Sequence, residues 1–207
     1  MLVQSPRGYT YTMSATHNLL PTDGSAHLYP EFLSPSAADG LMQRIEQQTN
    51  WTQREIIIFG KAVMQPRLMA WYGDREYCYS GISLAPVNWH PTLLNLKSTI
   101  EQQCAARFNT ALLNLYRNGE DSMGWHQDNE QSLGEQPVIA SLSLGVERKF
   151  KFKHIDNKCM NVDINLAHGS LLIMAGLTQH KWKHCLPKTR RSIGTRINIT
   201  FRNVLGD

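Results

Sequence analysis

The four cysteines of this 207-residue chain, Cys78, Cys104, Cys159 and Cys185, form no C-x-x-C pair. That absence argues against a zinc knuckle or a disulfide framework and points to a reduced, intracellular protein. The expected location is the cytoplasm in a bacterium, or the nucleus in a eukaryote. No apolar run approaches the ~18 residues of a transmembrane helix, so no membrane partner is expected. The opening stretch "MLVQSPRGYTYTMSATHNLL" has no signal-peptide apolar core. Charge of one sign is scarce as well: a net charge of +4 permits a nucleic-acid partner without demanding one. Internal repeats and low-complexity segments are also missing. The length fits one domain burying roughly 70% of its unfolded surface, and a monomer is expected.

Residues 1–25 are polar and aperiodic and read as a loose arm, leaving 26–207 as a single domain. "LSPSAADGLMQRIEQQTNW" offers Ser34 or Ser36 as an N-cap and predicts a helix over about 37–49. In "HPTLLNLKSTIEQQCAARF", Leu93, Leu96, Ile100, Cys104 and Phe108 recur at steps of three and four after Pro91, which predicts a second helix. Beyond about 110 the period drops to two, in "LLNLYRN", "VIASLSLG", "FKFKH", "SLLIMAG" and "RINITFR". Helices followed by many short strands predict a mainly β, α+β fold: an antiparallel double-sheet jelly roll or barrel with N-terminal helices on one side. Such a scaffold holds a site in its mouth.

"MGWHQDNE" supplies the first chemistry. In extended chain, residues i and i+2 point to one face, so His126 and Asp128 can chelate one ion. "HKWKHCLPK" offers a third ligand in His180 or His184. Two His and one carboxylate form the facial arrangement of non-haem Fe(II) oxygenases, while a solvated turn would carry the same residues. In "RINITFR", Arg196, Asn198, Thr200 and Arg202 share a face, and Asn114 and Tyr116 share one in "LLNLYRNG". Two guanidiniums on one face suit a dicarboxylate, although a half-buried strand with its polar face in water has the same pattern. Lys149, Lys151 and Lys153 also share a face, suited to phosphates or simply to solvent.

Taken in order and spacing, "NLYRNGEDSMGWHQDNE", "PVIASLSLG", "HGSLLIM", "HKWKHCLP" and "RINITFR" resemble the AlkB family of Fe(II)/2-oxoglutarate dioxygenases, nucleic-acid repair branch. "PRLMAWYGD" and "YCYSG" resemble that family's nucleotide-recognition region, at about 50–90, upstream of a catalytic core at about 110–203. The resemblance implies that His126, Asp128 and His184 hold iron, leaving His180 outside. It implies that Arg196 takes the far carboxylate of 2-oxoglutarate and Arg202 its keto-acid end, with Asn114, Tyr116 and Asn198 completing the pocket. Tyr77 and Tyr79 would stack on a flipped base, Glu130 would accept from its exocyclic amine, Arg67 would join this set, and Phe59 would fill the gap left in the stack. A cationic methylated base favours aromatic faces.

The implied activity is oxidative demethylation of 1-methyladenine and 3-methylcytosine in DNA, with RNA as an alternative. O2 and 2-oxoglutarate would be consumed, and formaldehyde, succinate and CO2 released. Two rivals remain: a zinc hydrolase, for which the Arg196/Arg202 strand has no use, and a non-catalytic nucleic-acid-binding module on the same fold.

Overall fold

The computed structural model describes residues 2–4, 10–12, 15, 17–58, 60–74, 77–79, 82–84, 87–191 and 193–205, with the backbone alone at 2–4, 10–12, 57–58, 77–79 and 82–84. Phe59 lies outside the described residues, as do the side chains of Tyr77 and Tyr79.

Two short strands, β1 (Leu2–Gln4) and β2 (Thr10–Thr12), pair antiparallel ahead of β3 (Ser25–Tyr29). Helix α1 (Pro35–Gln48) starts at Ser34, whose hydroxyl accepts from the Ala37 N–H at 3.4 Å, with Pro35 pre-set for the first turn. Then come β4 (Glu55–Ile58), β5 (Lys61–Met64), β6 (Leu68–Gly73), β7 (Tyr77–Tyr79) and β8 (Ile82–Leu84). Helix α2 (Pro91–Cys104) is capped by His90 and stops where Ala105 turns left-handed, at φ 50°. Phe108 is therefore beyond the helix. It is buried all the same, its N–H taken by Glu101 at 2.8 Å.

The remainder is β9 (Thr110–Tyr116), β10 (Met123–His126), β11 (Ile139–Gly145), β12 (Arg148–His154), β13 (Asn161–Leu166), β14 (Leu171–Ala175), α3 (Thr178–Lys181), β15 (Trp182–Leu186) and β16 (Arg196–Arg202). A six-stranded sheet runs β3-β14-β11-β16-β9-β6, and a four-stranded sheet runs β10-β15-β12-β13. Side-chain alternation assigns the layers. On β16, Ile197, Ile199 and Phe201 join Leu41, Ile45, Leu96 and Ile100 of the helices in one core. The opposite face of β16 looks at the four-stranded sheet. Ile139, Leu172 and Met174 from one sheet, with Phe152, Leu166 and Trp182 from the other, form the core between them.

All seven residues of β16 are buried. The polar face of "RINITFR" is thus inside the sandwich and not in water. Leu20, within the stretch read as an arm, is also buried in the inter-sheet core, and Trp182 Nε1 donates to the Thr22 carbonyl at 3.1 Å.

Candidate active site

His126 ends β10 and His184 sits in the middle of β15. The two strands are antiparallel neighbours with these residues in direct register. Both rings face the six-stranded sheet, their centroids 4.2 Å apart. Asp128 follows two residues past the strand end and turns to the same side. One ligand atom from each of the three lies within 4.8 Å of the others, the one such cluster among the described residues.

Each member is poised to bind a cation. The His126 Nδ1–H donates to the Gly124 carbonyl at 2.9 Å, which leaves the Nε2 lone pair 3.9 Å from Asp128 Oδ1. That carboxylate oxygen and His184 Nδ1 are buried and have no hydrogen-bond partner among the described residues. A buried polar atom without a partner is costly, and a divalent ion between nitrogen and oxygen donors removes that cost. The residues present fit a resident metal.

Electrostatics hold the donors in their binding protonation states. Burial alone would raise the Asp128 carboxyl, but Arg202, followed by His126 and His184, brings it down to about 2. Arg202 does this by direct contact: its Nε and NH2 groups both donate to Asp128 Oδ2, at 3.1 and 2.7 Å. Burial, reinforced by the charge of His126, pushes the His184 imidazole down to about 3. Burial also lowers His126. Both rings are neutral at physiological pH, as metal ligation requires.

The cavity above the triad is lined from both sheets. Asn114, Tyr116, Arg196, Asn198 and Arg202 all border it, as do Ser141, Phe150 and Met174. Arg196 is 2% exposed, lies over the Tyr116 ring at 5.3 Å, and donates from NH2 to Ser143 Oγ at 2.9 Å. Among the described residues its Nε has no hydrogen-bond partner and no carboxylate pairs with it. Burial lowers this guanidinium to about 10, so it remains charged at neutral pH. A buried cation facing a cavity without a counter-ion is a site for an anion. Asn198 is tied to Ser141 Oγ at 2.8 Å and accepts from Thr200.

The base-recognition set is less gathered. Arg67 is buried and donates to Asn114 Oδ1 at 2.8 Å, so it holds in place a side chain that borders the cavity. Glu130 is half-buried, immediately precedes a single 3-10 turn at Gln131–Leu133 without a side-chain capping bond, and is not among the lining side chains. Tyr77 and Tyr79 lie on the β7–β8 pair, where Tyr79 is opposite Ile82. His180 is exposed, with Nε2 against the Glu135 carbonyl, and stands outside the triad.

Two residues emerge here that the sequence did not single out. Gln179 is fully buried and accepts from the Asp128 N–H at 3.0 Å, and its own carbonyl accepts from Gln127 at 2.8 Å. Arg148 donates to the carbonyls of Asn118, Asp121 and Pro187 and lies 6.0 Å from the Tyr116 ring centroid. A lone Gln beside a His, or an Arg in a basic run, carries no sequence signal for either job.

The sequence profile of the 2OG-Fe(II) oxygenase superfamily matches residues 25–202. The match spans every strand that lines the cavity. Human alpha-ketoglutarate-dependent dioxygenase alkB homolog 3 is 44% identical over 189 residues, 87% of this chain. This chain spans 66% of that relative's length. DNA oxidative demethylase ALKBH2 of Mus musculus is 34% identical over 198 residues, 90% of this chain and 83% of its own. The chain belongs to the AlkB family of 2OG-Fe(II) oxygenases. The solved structure of OsALKBH1 shares the fold with a TM-score of 0.66, covering 92% of this chain and 100% of that one at 15% identity.

Proposed function

We propose that the protein is an Fe(II)/2-oxoglutarate-dependent demethylase of N-alkylated bases in nucleic acid, acting on 1-methyladenine and 3-methylcytosine in DNA. The observation that carries this reading is the pairing of a buried His126–Asp128–His184 cluster with an anion-seeking Arg196 in one cavity. The names of the relatives, a dioxygenase and a DNA oxidative demethylase, support the substrate class.

In this reading His126, Asp128 and His184 hold Fe(II), which when bound supplies the redox chemistry that couples O2 and 2-oxoglutarate to oxidation of the N-methyl group. Arg196 receives the far carboxylate of 2-oxoglutarate through its unpartnered Nε, with Tyr116, Asn114 and Asn198 beside it. Arg202 keeps Asp128 ionised and aimed, and borders the keto-acid end of the co-substrate. The methyl carbon leaves as formaldehyde after hydroxylation, while 2-oxoglutarate becomes succinate and CO2. No side-chain nucleophile is required. Glu130 favours a positively charged base, and Tyr77 and Tyr79 stack on it. A zinc hydrolase would leave the buried Arg196 without a purpose.

Formaldehyde release from methylated oligonucleotides, with and without 2-oxoglutarate, tests the proposal. Release that depends on 2-oxoglutarate supports it, and its absence under iron and O2 refutes it.

A further inference from the structure

The outer face of the four-stranded sheet, turned away from the cavity, carries an arrangement for which the metal site has no use. Phe150 and Phe152 of β12 point inward against His184, with centroids 5.4 and 6.1 Å away. The alternating lysines of β12 therefore point outward. There Lys153 is directly opposite Lys183 of β15. Like charges at one cross-strand position repel, and no carboxylate among the described residues pairs with either. The next two lysines, Lys149 and Lys151, share the single carboxylate of Asp163, at 3.3 Å each.

Lys153 finds an aromatic face instead: its Nζ is 4.3 Å from the Trp125 ring centroid. Trp125 adjoins His126 on β10 but is directed to the outside, where it is 42% exposed. Past Lys149 the same surface opens into a cleft bordered by Lys188 and Arg191 as well as Lys149 and Lys151, with Glu147 the acid in its lining and Glu120 3.5 Å from Lys188.

We propose that this face is a platform for the single-stranded flank of a nucleic-acid substrate. Trp125 stacks on one base, and Lys153, Lys183 and the cleft at Lys149, Lys151 and Arg191 hold the phosphates that follow. The inference rests on the reading that the cavity acts on nucleic acid. An aromatic platform set in a cationic track is the pattern by which single strands bind without sequence preference. A duplex keeps its bases stacked and has none to offer Trp125, and an acidic protein surface has no need of an indole. The path is short as well. β10 is the edge strand of its sheet, so a chain leaving the cavity beside His126 rounds one strand to reach Trp125. Two further strand spacings, about 10 Å, bring it to β12.

Fluorescence anisotropy with labelled oligothymidylates tests this, using a trinucleotide and a strand of about 16 residues. Wild-type protein, Trp125→Ala and the pair Lys153→Gln/Lys183→Gln are compared over a salt series. Wild type should bind the long strand more tightly than the short one. Trp125→Ala should lose about tenfold on the long strand, and the double variant should shallow its salt slope by about 1.4. All three should demethylate a methylated trinucleotide equally, which also reports that they fold. Wild-type affinity of both variants for the long strand would overturn the platform and leave the demethylase reading intact. Loss of long-strand binding in a protein that demethylates nothing would sustain the platform and sink that reading.

Discussion

His126 and His184 are register partners on antiparallel β10 and β15, with ring centroids 4.2 Å apart. Cross-strand neighbours are the closest side-chain pairs a sheet offers. The sheet thus supplies two ligands on rigid strands, and only Asp128 is delivered by a loop. Two side-chain contacts then fix that loop, one from Gln179 to the Asp128 N–H and one from Arg202 to Oδ2.

Removing a ligand should abolish metal binding while the fold persists. Asp128→Ala and His184→Ala should each lose Co(II) binding by titration, whereas His180→Ala should retain it. Loss in His180→Ala with retention in His184→Ala would exchange the third ligand.

Gln179 should tune the metal without touching it. Gln179→Leu frees the Asp128 N–H and should weaken metal affinity by about 10- to 100-fold. Gln179→Glu keeps an acceptor oxygen and should recover much of the loss. Equal affinities in all three proteins would remove this role.

Arg196→Ala leaves one carboxylate of a bound dianion unpaired in a buried site. That should cost about 2–5 kcal/mol of 2-oxoglutarate binding and raise its KM strongly, with metal affinity unchanged. An unaltered KM would mean that the co-substrate lies elsewhere in the cavity.

How much of this was legible beforehand differs by residue. The alternation in "RINITFR" identified which residues share a face, but not which face is buried, because period two is the same for a solvated strand and one sandwiched between layers. The cover over β16 comes from β10, β12 and β15, and their pairing with one another is long-range. "FKFKH" revealed β12 through its own pattern, while β13, with Asn161, Asp163 and Asn165 alternating outward, and β3 carried weaker signals. His184 over His180 followed from family resemblance. The geometric reason is visible only in the fold: His184 is in register with His126, while His180 belongs to the preceding turn, α3. Gln179 and Arg148 act on backbone atoms of distant segments, and no local pattern announces such partners.

Acid should expose a linkage between protonation and stability away from the metal site. Asp121 is buried, which raises its carboxyl, but hydrogen bonds and charge from Arg117, with Arg148 behind, hold it below the usual carboxylate value. A carboxyl depressed by folding stabilises above its unfolded value, near 3.8, and that stability is lost as pH falls through the folded value. Asp121→Asn should therefore destabilise by about 1–2 kcal/mol near neutrality, toward the lower end because Arg117 is partly solvated. The difference should shrink as pH falls below 3.8 and on through the folded value. Denaturant melts across that range measure it, and a pH-independent difference would deny the linkage.

The central claim is that the triad and Arg196 serve one coupled oxidation of a base methyl group. Its most direct test is the stoichiometry of succinate to formaldehyde when the iron-loaded protein meets a 1-methyladenine or 3-methylcytosine oligonucleotide under O2. The account predicts one succinate for each formaldehyde, and no formaldehyde when O2 or 2-oxoglutarate is withheld. Formaldehyde formed without 2-oxoglutarate, or methyl loss as methanol under anaerobic conditions, would contradict it.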